Sequence, residues 1–100
     1  MPVMVPNPMR AVLMEALREI EPLVREIDEG MERAYQEFHT GKVWNGPVAR
    51  RFDAQLAHQR ARARMCGDRI LTELREALAR TPSEVVEEVA QRLRAKYDLR

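Results

Sequence analysis

The sequence predicts an all-α protein: an antiparallel helical hairpin that dimerises into a four-helix bundle, with a short C-terminal helix. Three observations lead there. The composition is dominated by Arg, Glu, Ala and Leu, with only 4 glycines in 100 residues, which favours helix. Two apolar stripes of helical period and nearly equal length flank a short connection. Both stripes are wider than the single seam of an isolated hairpin uses.

Residues 1–7 are read as an N-terminal tail. Asn7-Pro8 then starts a helix, with a capping side chain followed by proline at the first helical position, where a missing N–H is harmless. From there Leu13, Leu17, Ile20, Val24, Ile27, Met31, Ala34 and Phe38 alternate steps of four and three, predicting a helix over 8–40. Pro22 interrupts it and costs about 3 kcal/mol in a helix interior, yet the apolar phase continues across it, so a kink is expected. Residues 41–46 form the turn. A second helix over 47–80 opens at Gly46-Pro47 and carries Ala49, Phe52, Leu56, Gln59, Ala63, Cys66, Ile70, Leu74 and Leu78, slipping one step after Ile70. Each helix spans about 50 Å at 1.5 Å per residue, and equal rods on a short loop fold back antiparallel. Thr81-Pro82-Ser83-Glu84 matches a capping box and predicts a third helix over 83–98 within a C-terminal segment 81–100.

The hairpin and dimer interface is expected at Leu13, Leu17, Ile20, Val24, Ile27, Met31, Phe38, Phe52, Leu56, Ile70 and Leu74. Val12, Ala16, Leu23 and Tyr35 widen the first stripe, and Ala57, Met65 and Leu71 the second. Left in water, such a strip is unfavourable at about 25 cal/mol per Å² of apolar surface, and a second hairpin removes it. Charge points the same way. The net charge is +1, but residues 1–41 carry −4 and residues 42–70 carry +5. An acidic helix beside a basic one gains a complementary field, which selects partners more than it adds stability.

Few residues here suit catalysis or metal binding. The two histidines, His39 and His58, have no Glu-x-x-His or His-x-x-x-His spacing, and one cysteine makes no Cys-x-x-Cys, so no metal site, cofactor or small-molecule substrate is expected. Cys66 falls in the stripe and reads as a small buried hydrophobe. No glycine-rich phosphate loop occurs, and enzymatic activity is not expected. The run Arg50, Arg51, Arg60, Arg62, Arg64 and Arg69 suggests, as an alternative, a basic helical dimer binding nucleic acid. A pI of only about 8.0 and the lack of interleaved aromatics argue against it. A non-secreted oligomerisation module is a third reading. No stretch is long and apolar enough for stable membrane insertion, and the first residues lack the pattern of a cleaved leader.

The connection Thr40-Gly41-Lys42-Val43-Trp44-Asn45-Gly46-Pro47 holds the only tryptophan. A ring there can cap the last core layer, and Gly46 permits a backbone angle that a side chain forbids. Trp44-Asn45-Gly46, central between two long amphipathic helices, with Phe52 eight positions after the tryptophan, resembles the Trp-x-Gly (WXG, Esx-like) family. These are the small helical-hairpin substrates of type VII secretion. The resemblance covers roughly residues 8–80. It implies a homo- or heterodimer, with itself or a paralogous hairpin, recognised by the type VII secretion ATPase machinery and exported without a cleaved leader from the cytoplasm. It also implies that Trp44 and Gly46 form part of the export signal. The family's tail motif, Tyr-x-x-x-Asp/Glu, has no match here, since only three residues follow Tyr97. This departure implies a subunit that travels with a signal-bearing partner, or one that pairs with itself and is not exported by that signal.

Overall fold

The structure, a computed structural model, describes residues 2–40 and 46–99. Its elements in order are β1 (Met4–Pro6), α1 (Pro8–Thr40), α2 (Pro47–Arg80), β2 (Glu84–Val86) and α3 (Glu87–Tyr97). Helices dominate, and the two long ones, of 33 and 34 residues, pack against each other. The chain folds as two compact units, Met1–Ile20 with Leu71–Arg100, and Glu21–Ile70. The division falls beside Pro22 in α1, which is a helix on both sides of that proline. In α2 it falls where the apolar stripe slips a step.

The first unit corrects two expectations. Residues 1–7 include a strand rather than only a tail: β1 pairs antiparallel with β2, Met4 opposite Val86, Val5 opposite Val85 and Pro6 opposite Glu84. The ladder continues outward, with Asn7 N donating to Ser83 O at 2.9 Å and Glu87 N to Val3 O at 3.2 Å. Because this pairing holds residues 83–87 extended, the capping box does not form and α3 begins at Glu87 instead of 83. The Thr81 hydroxyl donates back to Ala77 O at 2.6 Å, finishing α2 instead of starting α3. Val86 stands at the N-cap with no side-chain hydrogen bond, and Glu87 and Glu88 in the first turn favour the helix dipole. At the far end Asp98 takes the left-handed conformation (φ 53°), tolerated by a short polar side chain, and Leu99 N reaches Arg94 O at 2.9 Å. α3 packs on both strands, and its Ala90 is fully buried.

Asn7 ties this unit together. Its Oδ1 accepts from Met9 N at 3.0 Å, capping α1 as the sequence indicates. Its Nδ2 donates to Pro82 O at 2.9 Å, so one buried side chain joins the start of α1 to the end of α2. Beside it, Arg10 Nη1 donates to Leu78 O at 3.3 Å and Thr81 O at 3.2 Å, satisfying carbonyls that a helix end leaves open. Asn7→Ala is expected to destabilise the protein by about 1–3 kcal/mol, losing the cap and stranding the Pro82 carbonyl. Asn7→Asp keeps the cap but loses the donor, so its thermal midpoint should fall between the alanine variant and the parent. An aspartate midpoint equal to the parent's would remove the Pro82 bond from the account.

In the second unit, α1 from Glu21 and α2 up to Ile70 run antiparallel. Val24 lies level with Gly67, Glu32 with Arg60, and Phe38 with Phe52. Val24 is buried against Gly67, where a Cβ would come within 2.6 Å of Val24 Cγ1. The absent side chain is what lets the helices approach here.

Candidate functional site

No group of His, Cys, Asp or Glu among the described residues is arranged to hold a metal ion. No helix there is long and apolar enough to cross a membrane. What the second unit presents is a hairpin with two unlike faces.

One face is charged. Arg60 Nε lies 2.8 Å and Arg64 Nη2 3.7 Å from Glu32 Oε2, and His39 Nε2 lies 2.7 Å from Asp53 Oδ1. Both carboxylate oxygens are shut off from water and take no aligned hydrogen bond, and the arginine contacts of Glu32 are cross-helix charge pairs. His39 Nδ1 donates to Tyr35 O at 2.7 Å, which orients the imidazole toward Asp53. The Arg60 guanidinium also lies over the Tyr35 ring, 4.2 Å from its centre, an arrangement worth about 0.5–1 kcal/mol at a half-exposed site. Two of the six arginines in the basic run therefore face α1 within the hairpin, which shortens any phosphate-binding track.

The other face is apolar. At about 100° per residue, Leu23, Ile27 and Phe38 share one flank of α1, and Val48, Phe52 and Ile70 share one flank of α2. The Phe38 and Phe52 rings meet with centroids 5.0 Å apart, which places those flanks on the same side of the hairpin. Leu23, Ile27, Phe52 and Ile70 are each between 44% and 57% exposed, and Val48 more so. These large apolar side chains lie in water together on one side of the unit.

The residues expected at the interface separate accordingly. In the second unit Val24 is buried and Met31, Phe38 and Leu56 are half-buried, forming the seam between the two helices. Ile27, Phe52 and Ile70 face out. In the first unit Leu13, Leu17, Ile20 and Leu74 are half-buried. Cys66 corrects another expectation, because it is exposed. The buried position belongs to its neighbour Gly67, one step of 100° round the helix, and the cysteine is turned toward the apolar face. Gly46 has φ +110°, the conformation for which a glycine is suited, and its carbonyl accepts from Arg50 N at 3.0 Å in the first turn of α2. Trp44 lies outside the described residues.

Sequence reasoning missed Asn7 Nδ2, Arg10 and both strands. The faint signals were Val3 and Val5, each beside a proline, at one end and the β-branched pair Val85-Val86 at the other. No protein-family model matches this chain, and neither a curated protein nor a solved structure matches it.

Proposed function

We propose that this chain is a non-enzymatic docking protein, a Trp-x-Gly (Esx-like) helical hairpin of a type VII secretion pathway. It pairs with itself or a paralogous hairpin into a four-helix bundle and leaves the cytoplasm in that form. The observation that carries the docking half is the exposed apolar face formed by Leu23, Ile27, Phe52 and Ile70. Such a face is paired in a stable assembly, because apolar surface left in water is unfavourable by about 25 cal/mol per Å². The secretion half rests on the resemblance of Trp44-Asn45-Gly46 and the run to Phe52. Gly46 supports it locally, through a positive φ where the motif places its glycine.

Immunoblots of culture medium test the secretion half, comparing cells with active and inactivated type VII ATPase. The protein is expected in the medium only with the active ATPase, and Trp44→Ala is expected to confine it to the pellet while its helical circular dichroism persists. Protein that stays in the pellet under both conditions would overturn the secretory assignment and leave an oligomerisation module.

A further inference from the structure

Besides its seam and its apolar flank, α2 carries a third surface. At about 100° per residue, Arg51, His58, Arg62 and Arg69 fall within about 40° of one another. They lie on the side of the helix opposite Ala49 and Gly67, which are buried in the seam, and all four are exposed. From Arg51 to Arg69 the row is about 27 Å long. The carboxylates of α2 between Pro47 and Ile70 are Asp53 and Asp68. Asp53 lies against His39 of α1, and Asp68 stands about 100° round the helix from Arg69. The axis of the acidic α1 runs about 8–10 Å behind that of α2, and the row stands a further helix radius of about 5 Å away. The bulk of the acidic charge on α1 therefore lies beyond the screening length of about 10 Å at 0.1 M salt. A whole-chain net charge of +1 conceals this local concentration of cations.

We infer that this row binds the phosphate backbone of double-stranded nucleic acid without regard to base sequence. A duplex carries about one negative charge per 1.7 Å of its axis, so each guanidinium of a straight row has phosphates within reach of its flexible arm. Guanidinium groups set on phosphates position a duplex without reading its bases. Three other partners fit the row less well. A docked protein draws its affinity from apolar anchors, with charges setting encounter rate and register, and Met65 is the one large apolar side chain beside the row. Sequence-independent binding of nucleic acid, by contrast, takes essentially all of its affinity from phosphate neutralisation. A single strand is held by aromatic side chains on which its bases stack, and the row has none. An anionic bilayer would take up the adjoining apolar flank as well, and Glu26 and Glu37, exposed along the α1 edge of that flank, would then meet the headgroups. This surface is additional to the docking face and independent of the secretory assignment.

Fluorescence anisotropy of the full-length chain with a labelled duplex of about 20 base pairs tests this, with salt varied from about 50 to 200 mM. Three phosphate contacts give log K a slope of about −2.7 against log salt, so affinity should fall about fortyfold across that range. Arg51→Gln with Arg62→Gln should weaken binding more than about tenfold at the lowest salt and make the slope shallower by about 2, for any duplex sequence. Arg18→Gln with Arg33→Gln removes the same charge from exposed positions of α1 and should change neither quantity. Glutamine is a good helix former, so both double variants should keep the circular dichroism of the parent. A slope untouched by the α2 substitutions, or moved equally by the α1 pair, overturns the row as the binding surface. Absence of binding at the lowest salt overturns nucleic acid as its partner. A preference for a single strand of the same length, or capture by phosphatidylserine vesicles without binding to the duplex, overturns it in favour of the partner so identified.

Discussion

Replacing Gly67 with leucine is expected to lower the thermal midpoint by more than about 12 °C, a loss of about 3 kcal/mol or more in a domain of this size. The cause is local. The first atom of any side chain at this position comes within 2.6 Å of Val24 Cγ1, and valine in a helix is held to essentially one rotamer, so it cannot swing aside. Leucine adds three further carbons to the same gap and forces the helices apart. Alanine is the sharper test because two effects oppose. Gly→Ala inside a helix contributes about 1 kcal/mol of stability, while overpacking removes about 1–3 kcal/mol. The clash should win, giving a net loss. In a Val24→Ala background the clash is gone and only the propensity gain remains, so the same Gly67→Ala change should become stabilising. This reversal of sign, read from thermal melts in a double-mutant cycle, is the expected result. If Gly67→Ala stabilises in both backgrounds, the helices do not approach closely at this level.

The helices were legible because their signals are long and repeated. Thirty-three and 34 residues of periodic apolar spacing outweigh a single contrary proline, and Asn7-Pro8 and Gly46-Pro47 mark starts by local chemistry alone. The strands were not legible, since each has three residues and exists only by pairing with the other across nearly the whole chain. The third helix shows the same conflict. Thr81 and Glu84 satisfy a capping pattern, but the pairing of β2 with β1 holds that backbone extended, and tertiary structure overrides the local preference.

For the site, periodicity identified which residues are apolar and share a stripe, but not how the stripe divides between seam and surface. Val24 and Ile27 are both stripe members, yet one is buried and the other faces out. The division depends on the approach direction of the second helix, which is set by Gly67, a residue with no side chain to register in an apolar pattern. The cross-helix pairs of Glu32 with Arg60 and Asp53 with His39 follow from that direction too. The charge asymmetry between the halves indicated complementary helices, and only the structure separates charges that face within the hairpin from those along its outer edges.

Ile27→Asp with Phe52→Asp is expected to convert the protein to a folded monomer of 11.6 kDa, read by light scattering. Both side chains are about half exposed in the hairpin, so exchanging them for carboxylates removes the Phe38–Phe52 ring contact but leaves Val24 and Gly67 packed in the seam. In the proposed dimer the same positions lie within the apolar contact. Each side chain has about half its surface left to bury, so its loss forfeits roughly half of the about 1.5–3 kcal/mol of full burial, and each introduced carboxylate would have to give up its water. Two-fold pairing doubles each loss, so association is expected to be abolished. Two readings separate loss of association from loss of fold. Far-ultraviolet circular dichroism should keep the helical signal of the parent, and the melting temperature should stop depending on protein concentration, a dependence that the parent must show if it is a dimer. Met65→Asp is the control. Met65 is more exposed than either residue but lies on the outer side of α2, away from the apolar face, so the same charge there should leave the mass and its concentration dependence unchanged. A double variant that keeps the mass of its parent, or a Met65 variant that loses it, would place the contact on another side of the hairpin.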